Sequence, residues 1–237
     1  MFGSRPIVSR PPEEILAPLD EPFRSRLLSM VRGEPQQGAD GQSHAMTDPA
    51  KISPSQGMWI YNLCRSAKPA ATLEIGLAYG YSTIFFLAAG AKIGGLRHTA
   101  IDPFQLSYWH GIGLAHGRAL APEQFRFIEE RSDRAAIDLA RSDAKFDVIF
   151  IDGNHRFDDV LTDFYLYAPL CSIGGHIILD DIWMNSIRTV SEYLRANRRD
   201  FAEVHPGQDN IQIFQKLAED TRDWRHFRNF KSAADSD

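Results

Sequence analysis

Cysteine is scarce. Two residues, Cys64 and Cys171, in a chain of 237 are too few for a disulfide framework and too few for a zinc cluster. Both sit in apolar stretches that read as helical, which predicts buried free thiols. Long apolar runs are lacking as well. No segment approaches the roughly 20 residues of a membrane span, and the opening MFGSRPIVSRPPEE holds no apolar run of signal-peptide length. The expectation is a soluble, cytoplasmic chain with no membrane partner. An excess of basic charge is also missing: a net charge of −5 argues against a broad surface that coats nucleic acid, while leaving room for a local basic patch. Internal repeats and low-complexity tracts are absent. What is present is a hydrophobic fraction of 43%, enough for a substantial core, on a length that suits one large domain or one domain with an extension.

The chain reads as three parts: residues 1–52, a helical arm with a possible lid loop; residues 53–216, a regular stretch that makes the main domain; and residues 217–237, a tail. In the first part, residues 1–10 read as a loose arm. Pro11 and Pro12 followed by Glu13 and Glu14 suit a helix start, with a helix running to about Arg32 and a break near Pro18. Residues 33–52 are polar, rich in Gly and Pro and without apolar period, which predicts a mobile loop and a candidate lid. From residue 53 the pattern is regular. Short apolar strands (ATLEIG, LRHTAID, FRFIEE, FDVIFID, GGHIILDD) alternate with helical segments, among them SPSQGMWIYNLCRSA, capped by Ser53 with Pro54 behind it. QLSYWHGIGLAHGRAL reads as a weaker helix. In RFDDVLTDFYLYAPL, Phe157, Val160, Leu161 and Phe164 make the stripe of a buried helix face. Such alternation indicates a parallel sheet covered on both faces. The end differs: DFAEVHPGQDNIQIFQK is two strands whose link is too short for a crossover helix, so the pair is antiparallel.

In an open α/β sheet, ligands bind beyond the carboxyl ends of the strands, so the residues just after strands carry the information. Four such turns stand out. The first, Glu74 to Ser82, has Gly76 and Gly80 in a G-x-x-x-G spacing, allowing the backbone close to a ligand, and the following helix offers free N–H groups. Ser82 is placed to donate to a carboxylate. A dinucleotide fingerprint needs a third glycine, which is missing, as is a later Y-x-x-x-K; this weighs against a nicotinamide oxidoreductase. The second is Asp102, where such sheets hold ribose hydroxyls; capping the turn before Pro103 is the other reading. The third is Asp152-Gly153-Asn154-His155 and the fourth Asp180-Asp181. Neighbouring strands lie about 4.8 Å apart, so three carboxylates meet at one mouth. They repel unless a cation sits between them or one takes a proton; an all-oxygen set with one histidine suits Mg²⁺ better than zinc. Capping of the following segments is the plainer alternative.

E-I-G-x-x-x-G-Y-S, A-I-D, F-D-x-I-F-I-D-G-x-H and G-G-x-I-I-L-D-D together resemble the class I methyltransferases, which use S-adenosylmethionine. Within them the likeness is to the metal-dependent O-methyltransferases, the group with the catechol, caffeoyl-CoA and macrolide-sugar enzymes. It covers roughly residues 53–216, including the closing antiparallel pair, and residues 1–50 show none of it. The resemblance implies a Rossmann-like α/β sheet, mainly parallel with a C-terminal antiparallel strand pair. It implies an S-adenosylmethionine site lined by Glu74, Gly76, Gly80, Ser82, Asp102 and Asp152, with Ser132 and Asp133 near the adenine, and a divalent metal on Asp152, Asp180 and Asp181. A homodimer is common among such relatives.

His155 departs from the catechol type, which has lysine at the matching place; the sugar-modifying members have histidine. An imidazole with a pKa of about 6.5 suits a general base near pH 7, and capping or support of a metal ligand are the alternatives. The reading is an O-methyltransferase acting on a hydroxyl of a small molecule, a sugar or other polyhydroxyl ahead of a catechol. A metal-independent enzyme of the same fold and an RNA-modifying member are the alternatives. Trp183 reads either as one wall of the acceptor site or as a core or interface residue. His98, His176 and His205 read as structural. In the tail, Arg222, Arg225, Arg228 and Lys231 alternate with Trp224, Phe227 and Phe230. That pattern fits stacking on bases but, given the acidic total charge, better fits packing on the domain or on a dimer partner.

Overall fold

In the computed structural model, residues 10–205 and 207–232 are described; the expected arm at 1–10, apart from Arg10, lies outside them. Helix α1 (Pro12–Ile15) opens on a proline with Glu13 and Glu14 in its first turn, and α2 (Phe23–Val31) follows after the expected break. In α2, Phe23, Leu27 and Met30 are buried, the i, i+4, i+7 spacing of one helix face. The two helices therefore pack into the core. The polar stretch after them is more ordered than its composition predicts. Strands β1 (Gln36–Gln37) and β2 (Ser43–His44) pair antiparallel. Gln36 is buried and donates to Ser29 Oγ and to the Glu34 carbonyl, both at 2.8 Å. Side-chain hydrogen bonds of this kind have no signature in hydrophobic period.

Helix α3 (Pro54–Ala67) starts as expected, with Ser53 Oγ accepting from the Gln56 N–H at 3.1 Å. The alternation then runs β3 (Ala71–Ile75), α4 (Tyr81–Ile93), β4 (Arg97–Ile101), α5 (Ile112–Leu120), β5 (Phe125–Ile128), α6 (Ser132–Arg141), β6 (Phe146–Ile151), α7 (Phe157–Tyr167), β7 (Cys171–Leu179), α8 (Asn185–Asn197), β8 (Phe201–Val204) and β9 (Gln212–Lys216). Seven strands form one sheet in the order β5-β4-β3-β6-β7-β9-β8, parallel except that β9 runs antiparallel to both β7 and β8. Helix α4 is apolar on every side because it lies between the sheet and helices α2, α3 and α5. One buried cluster joins these helices to one sheet face, and a second, with α6, α7 and α8, covers the other.

Three local expectations are corrected. Cys171 is buried and free, like Cys64, but it opens strand β7 and is not helical. Only the last part of QLSYWHGIGLAHGRAL is helical, from Ile112; the left-handed backbone of His110 and Gly111 keeps the segment before it in turns. On α7, Val160 and Phe164 are buried while Phe157, at the helix start, is exposed. Among the described residues, no helix is long and apolar enough to cross a membrane.

Candidate active site

The strand order reverses between β3 and β6, and each strand's ladder continues one residue past its end. Gly76 N–H donates to the Ile101 carbonyl at 2.9 Å, Asp102 N–H to Ile128 at 3.2 Å, Asp152 N–H to Ile75 at 3.0 Å and Asp180 N–H to Ile151 at 3.2 Å. The four turns singled out in the sequence thus lie in one row along the carboxyl edge, at the switch point where sheets of this kind bind ligands.

The glycine turn leans directly on the acidic cluster. Gly76 has φ +94°, and a Cβ there would stand 2.1 Å from the Asp152 carbonyl oxygen, so only glycine fits both the backbone and the space. Beneath it, Glu74 is 0% exposed and accepts from Ser82 Oγ at 2.8 Å and from Thr83 Oγ1. His98 Nε2 lies 3.3 Å away. Ser82 is therefore committed to Glu74 and braces the turn from below instead of pointing at a ligand carboxylate. Asp102 is buried and braces it from the side: Oδ2 accepts from the N–H groups of Leu77 (3.1 Å) and Ala78 (2.9 Å), and Oδ1 from Phe104 N–H (2.7 Å). Gln105, also buried, donates to the Ala78 carbonyl at 2.7 Å. Ser132 begins α6, two strands away, and the half-buried Asp133 pairs with Arg131 at 3.1 Å.

At the ends of β6 and β7, ligand atoms of Asp152, His155 and Asp181 lie within 4.8 Å of one another. His155 Nε2 stands 3.4 Å from Asp152 Oδ1 and 3.3 Å from Asp181 Oδ2. Asp181 has a left-handed backbone, φ +54°, uncommon for a non-glycine residue and found at functional turns; it lets two consecutive acids serve one site. Asp180 is set back from this trio. It is buried, and its Oδ1 accepts from Gln56 Nε2 (2.5 Å), Asp181 N–H (2.8 Å) and Asn210 Nδ2 (3.1 Å). The expected set of three acids is thus two acids and His155 in close contact, with Asp180 behind. Gln56 and Asn210 carry no signal in the sequence, since amides outside a motif look like any surface residue.

Burial raises the pKa of both Asp152 and Asp180. The neighbouring Asp181 adds to the first and Asp152 to the second. The His155 pKa is raised too, first by its hydrogen bond to Asp152, against a smaller opposing effect of burial. Excess negative charge gathered at one point, from oxygen donors with one imidazole, fits a hard divalent ion. Trp183 is 66% exposed and donates Nε1–H to Asp181 Oδ1 at 2.8 Å, so it stands at the mouth and is not a core residue. His98 and His176 are within strands, where burial lowers the His176 pKa; His205 lies just past β8. In the tail, Arg222 pairs with Asp220 at 2.7 Å and Arg225 with Asp223 at 3.0 Å. Phe230 packs on Tyr193. The local acids offset two of the four cations that a nucleic-acid backbone would meet.

Residues 73–182 match the family described as a methyltransferase domain. A 71-residue stretch is 30% identical to an uncharacterized protein of Acanthamoeba polyphaga mimivirus. The match takes in 30% of this chain and 31% of that protein's length, so less than a third of the relative is spanned. Similar solved structures include an O-methyltransferase from Bacillus cereus in complex with S-adenosylhomocysteine, at TM-score 0.65 and 19% identity, covering 86% of this chain and 94% of that one. Another is an O-methyltransferase from Streptomyces achromogenes involved in tomaymycin synthesis, in complex with S-adenosylmethionine, at TM-score 0.59 and 20% identity over 84% and 91% of the two chains. A third is an S-adenosylhomocysteine-bound methyltransferase from Podospora anserina, at TM-score 0.59 and 18% identity over 72% and 82%. These likenesses establish the fold, and the matched segment contains the whole row of turns from Gly76 to Asp181. Residues 73–182 of this chain thus match a methyltransferase domain, on the fold that these solved methyltransferases share.

Proposed function

We propose that this chain is an O-methyltransferase assisted by a divalent metal, Mg²⁺ ahead of zinc, that methylates a hydroxyl of a small molecule. A sugar or other polyhydroxyl compound is favoured over a catechol because His155 stands where the catechol type has lysine. The observation that carries the reading is the convergence of Asp152, His155 and Asp181 within 4.8 Å, against the glycine bend at Gly76. Two of the similar structures are O-methyltransferases, one of them involved in tomaymycin synthesis, which accords with a small-molecule acceptor.

Asp152, Asp181 and, from behind, Asp180 would hold the metal. When bound, the ion supplies a Lewis acid that lowers the acceptor hydroxyl's pKa. The bend of Gly76 and Gly80, braced by Glu74, Ser82 and Asp102, would seat S-adenosylmethionine, with Ser132 and Asp133 towards the adenine. The His155 imidazole would take the hydroxyl proton. The two carboxylates beside it hold the ring in place and stabilise the imidazolium that results. Donor and acceptor would then sit on adjacent strand ends of the row, so a bimolecular encounter would become a local one.

The test is transfer of a labelled methyl group to a panel of polyhydroxyl and catechol acceptors, before and after exhaustive chelation. Turnover should vanish with EDTA and return with Mg²⁺, while the Kd for S-adenosylhomocysteine, read by calorimetry, stays the same. Full activity in the chelated protein would remove the metal, leaving the His155 imidazolium as the cation between the two acids and a metal-independent methyltransferase as the function.

A further inference from the structure

Asp180 and Asp181 are consecutive, so their side chains start on opposite sides of the chain, and their charges repel. Something must turn them towards one point. The hydrogen bonds at the β7 end divide the labour between the oxygens. Asp181 Oδ1 accepts from Trp183 Nε1 at 2.8 Å and from Asn210 Nδ2 at 3.1 Å, which leaves Oδ2 to face His155 Nε2 at 3.3 Å. Asp180 Oδ1 accepts from Gln56 and from the same Asn210 Nδ2, again at 3.1 Å. One amide nitrogen therefore touches both acids. It comes from the loop between the two antiparallel strands, held in place by the buried Ile211 next to it and by the Ile182 N–H, which donates to the Asn210 carbonyl at 3.3 Å.

We propose that Asn210 is a positioning residue that clamps the outer oxygens of Asp180 and Asp181 and so presents their inner oxygens to a divalent cation. The inference rests on the metal-assisted reading above and extends it to a residue outside the matched segment, in the loop that joins the two strands beyond the parallel part of the sheet. Outer partners of this kind fix ligand orientation and are typically worth about 10–100-fold in metal affinity. A neutral amide does this without adding charge, whereas a carboxylate in its place would bring a third anion against the same two oxygens.

The test uses the full chain and Mn²⁺ as the probe, followed by the loss of the free-ion electron paramagnetic resonance signal, with Asn210→Ala and Asn210→Asp. Asn210→Asp keeps the shape of the side chain and removes its N–H donors, so it stays informative if the smaller residue unsettles the loop. Both variants should bind Mn²⁺ about 10–100-fold more weakly and recover turnover at high metal concentration. Their affinity for S-adenosylhomocysteine should stay at the wild-type value, because the glycine bend lies on the far side of β6. Unchanged Mn²⁺ affinity in a folded variant, even with a lowered Tm, would overturn the role and leave Asn210 as a loop anchor. If the wild-type chain itself binds no Mn²⁺, the metal-assisted reading fails and this inference with it, an outcome distinct from the first.

Discussion

At the scale of single residues, the site is built from groups whose charge is held out of balance. Asp152 and Asp180 have raised pKa values through burial, and His155 a raised one through Asp152. His155→Asn keeps a polar side chain of similar size and removes the titrating ring. It should lower kcat by about 10²–10⁴-fold while the Kd for S-adenosylhomocysteine changes little, because the glycine bend proposed to seat the donor is braced by Glu74 and Asp102 instead. A parallel loss of donor affinity would show that His155 supports the bend and moves no proton. The acids and His155 were legible in the sequence because each follows a strand end. The direction in which Ser82 and Asp180 point was not. Ser82 is committed to Glu74, eight residues before it, and one oxygen of Asp180 to Gln56 and Asn210, far from it in the chain.

At the scale of elements, helix α7 carries an acid in its buried face. Asp163 is 3% exposed and its pKa is pushed up to about 6, by burial above all, against a hydrogen bond from Ser132 at the start of α6. The neutral acid is therefore the form this helix packing accepts. Below the unfolded value of 3.8 nothing is lost; as pH rises through about 6 the buried carboxyl ionises and stability falls. Asp163→Asn removes that penalty. The variant should melt higher than the wild type at pH 8, by up to about 3 kcal/mol in stability, and match it near pH 4. Equal melting at both values would mean that Ser132 and solvent compensate the charge. Period read from the chain located α7, yet it marked Phe157 as buried, since the stripe does not say where a helix leaves the sheet. It also missed the β1–β2 hairpin, whose first strand is anchored by hydrogen bonds from Gln36 to Ser29 and Glu34, without apolar spacing.

At the scale of the whole molecule, the methyltransferase match begins at residue 73 and ends at 182, but the core does not. Leu16, Leu19, Phe23, Leu27 and Met30 are buried in the same cluster as α3 and α4, and Phe201 and Phe214 close the other one. A segment of residues 73–182 expressed alone should thus be insoluble or lack a cooperative melt, because α4 would expose the face that α2 and α3 cover. A segment that melts cooperatively would make the flanks dispensable. The sequence by itself determined the strand and helix order, the antiparallel close and the residues that can bear charge at strand ends, because period, turn chemistry and spacing are local. Only the tertiary structure decided that the first helices join the core, that the four turns share one row, and that Asn210 reaches both acids. Register between strands and the hydrogen bonds of amides far apart in the chain are settled by packing, which no local pattern records.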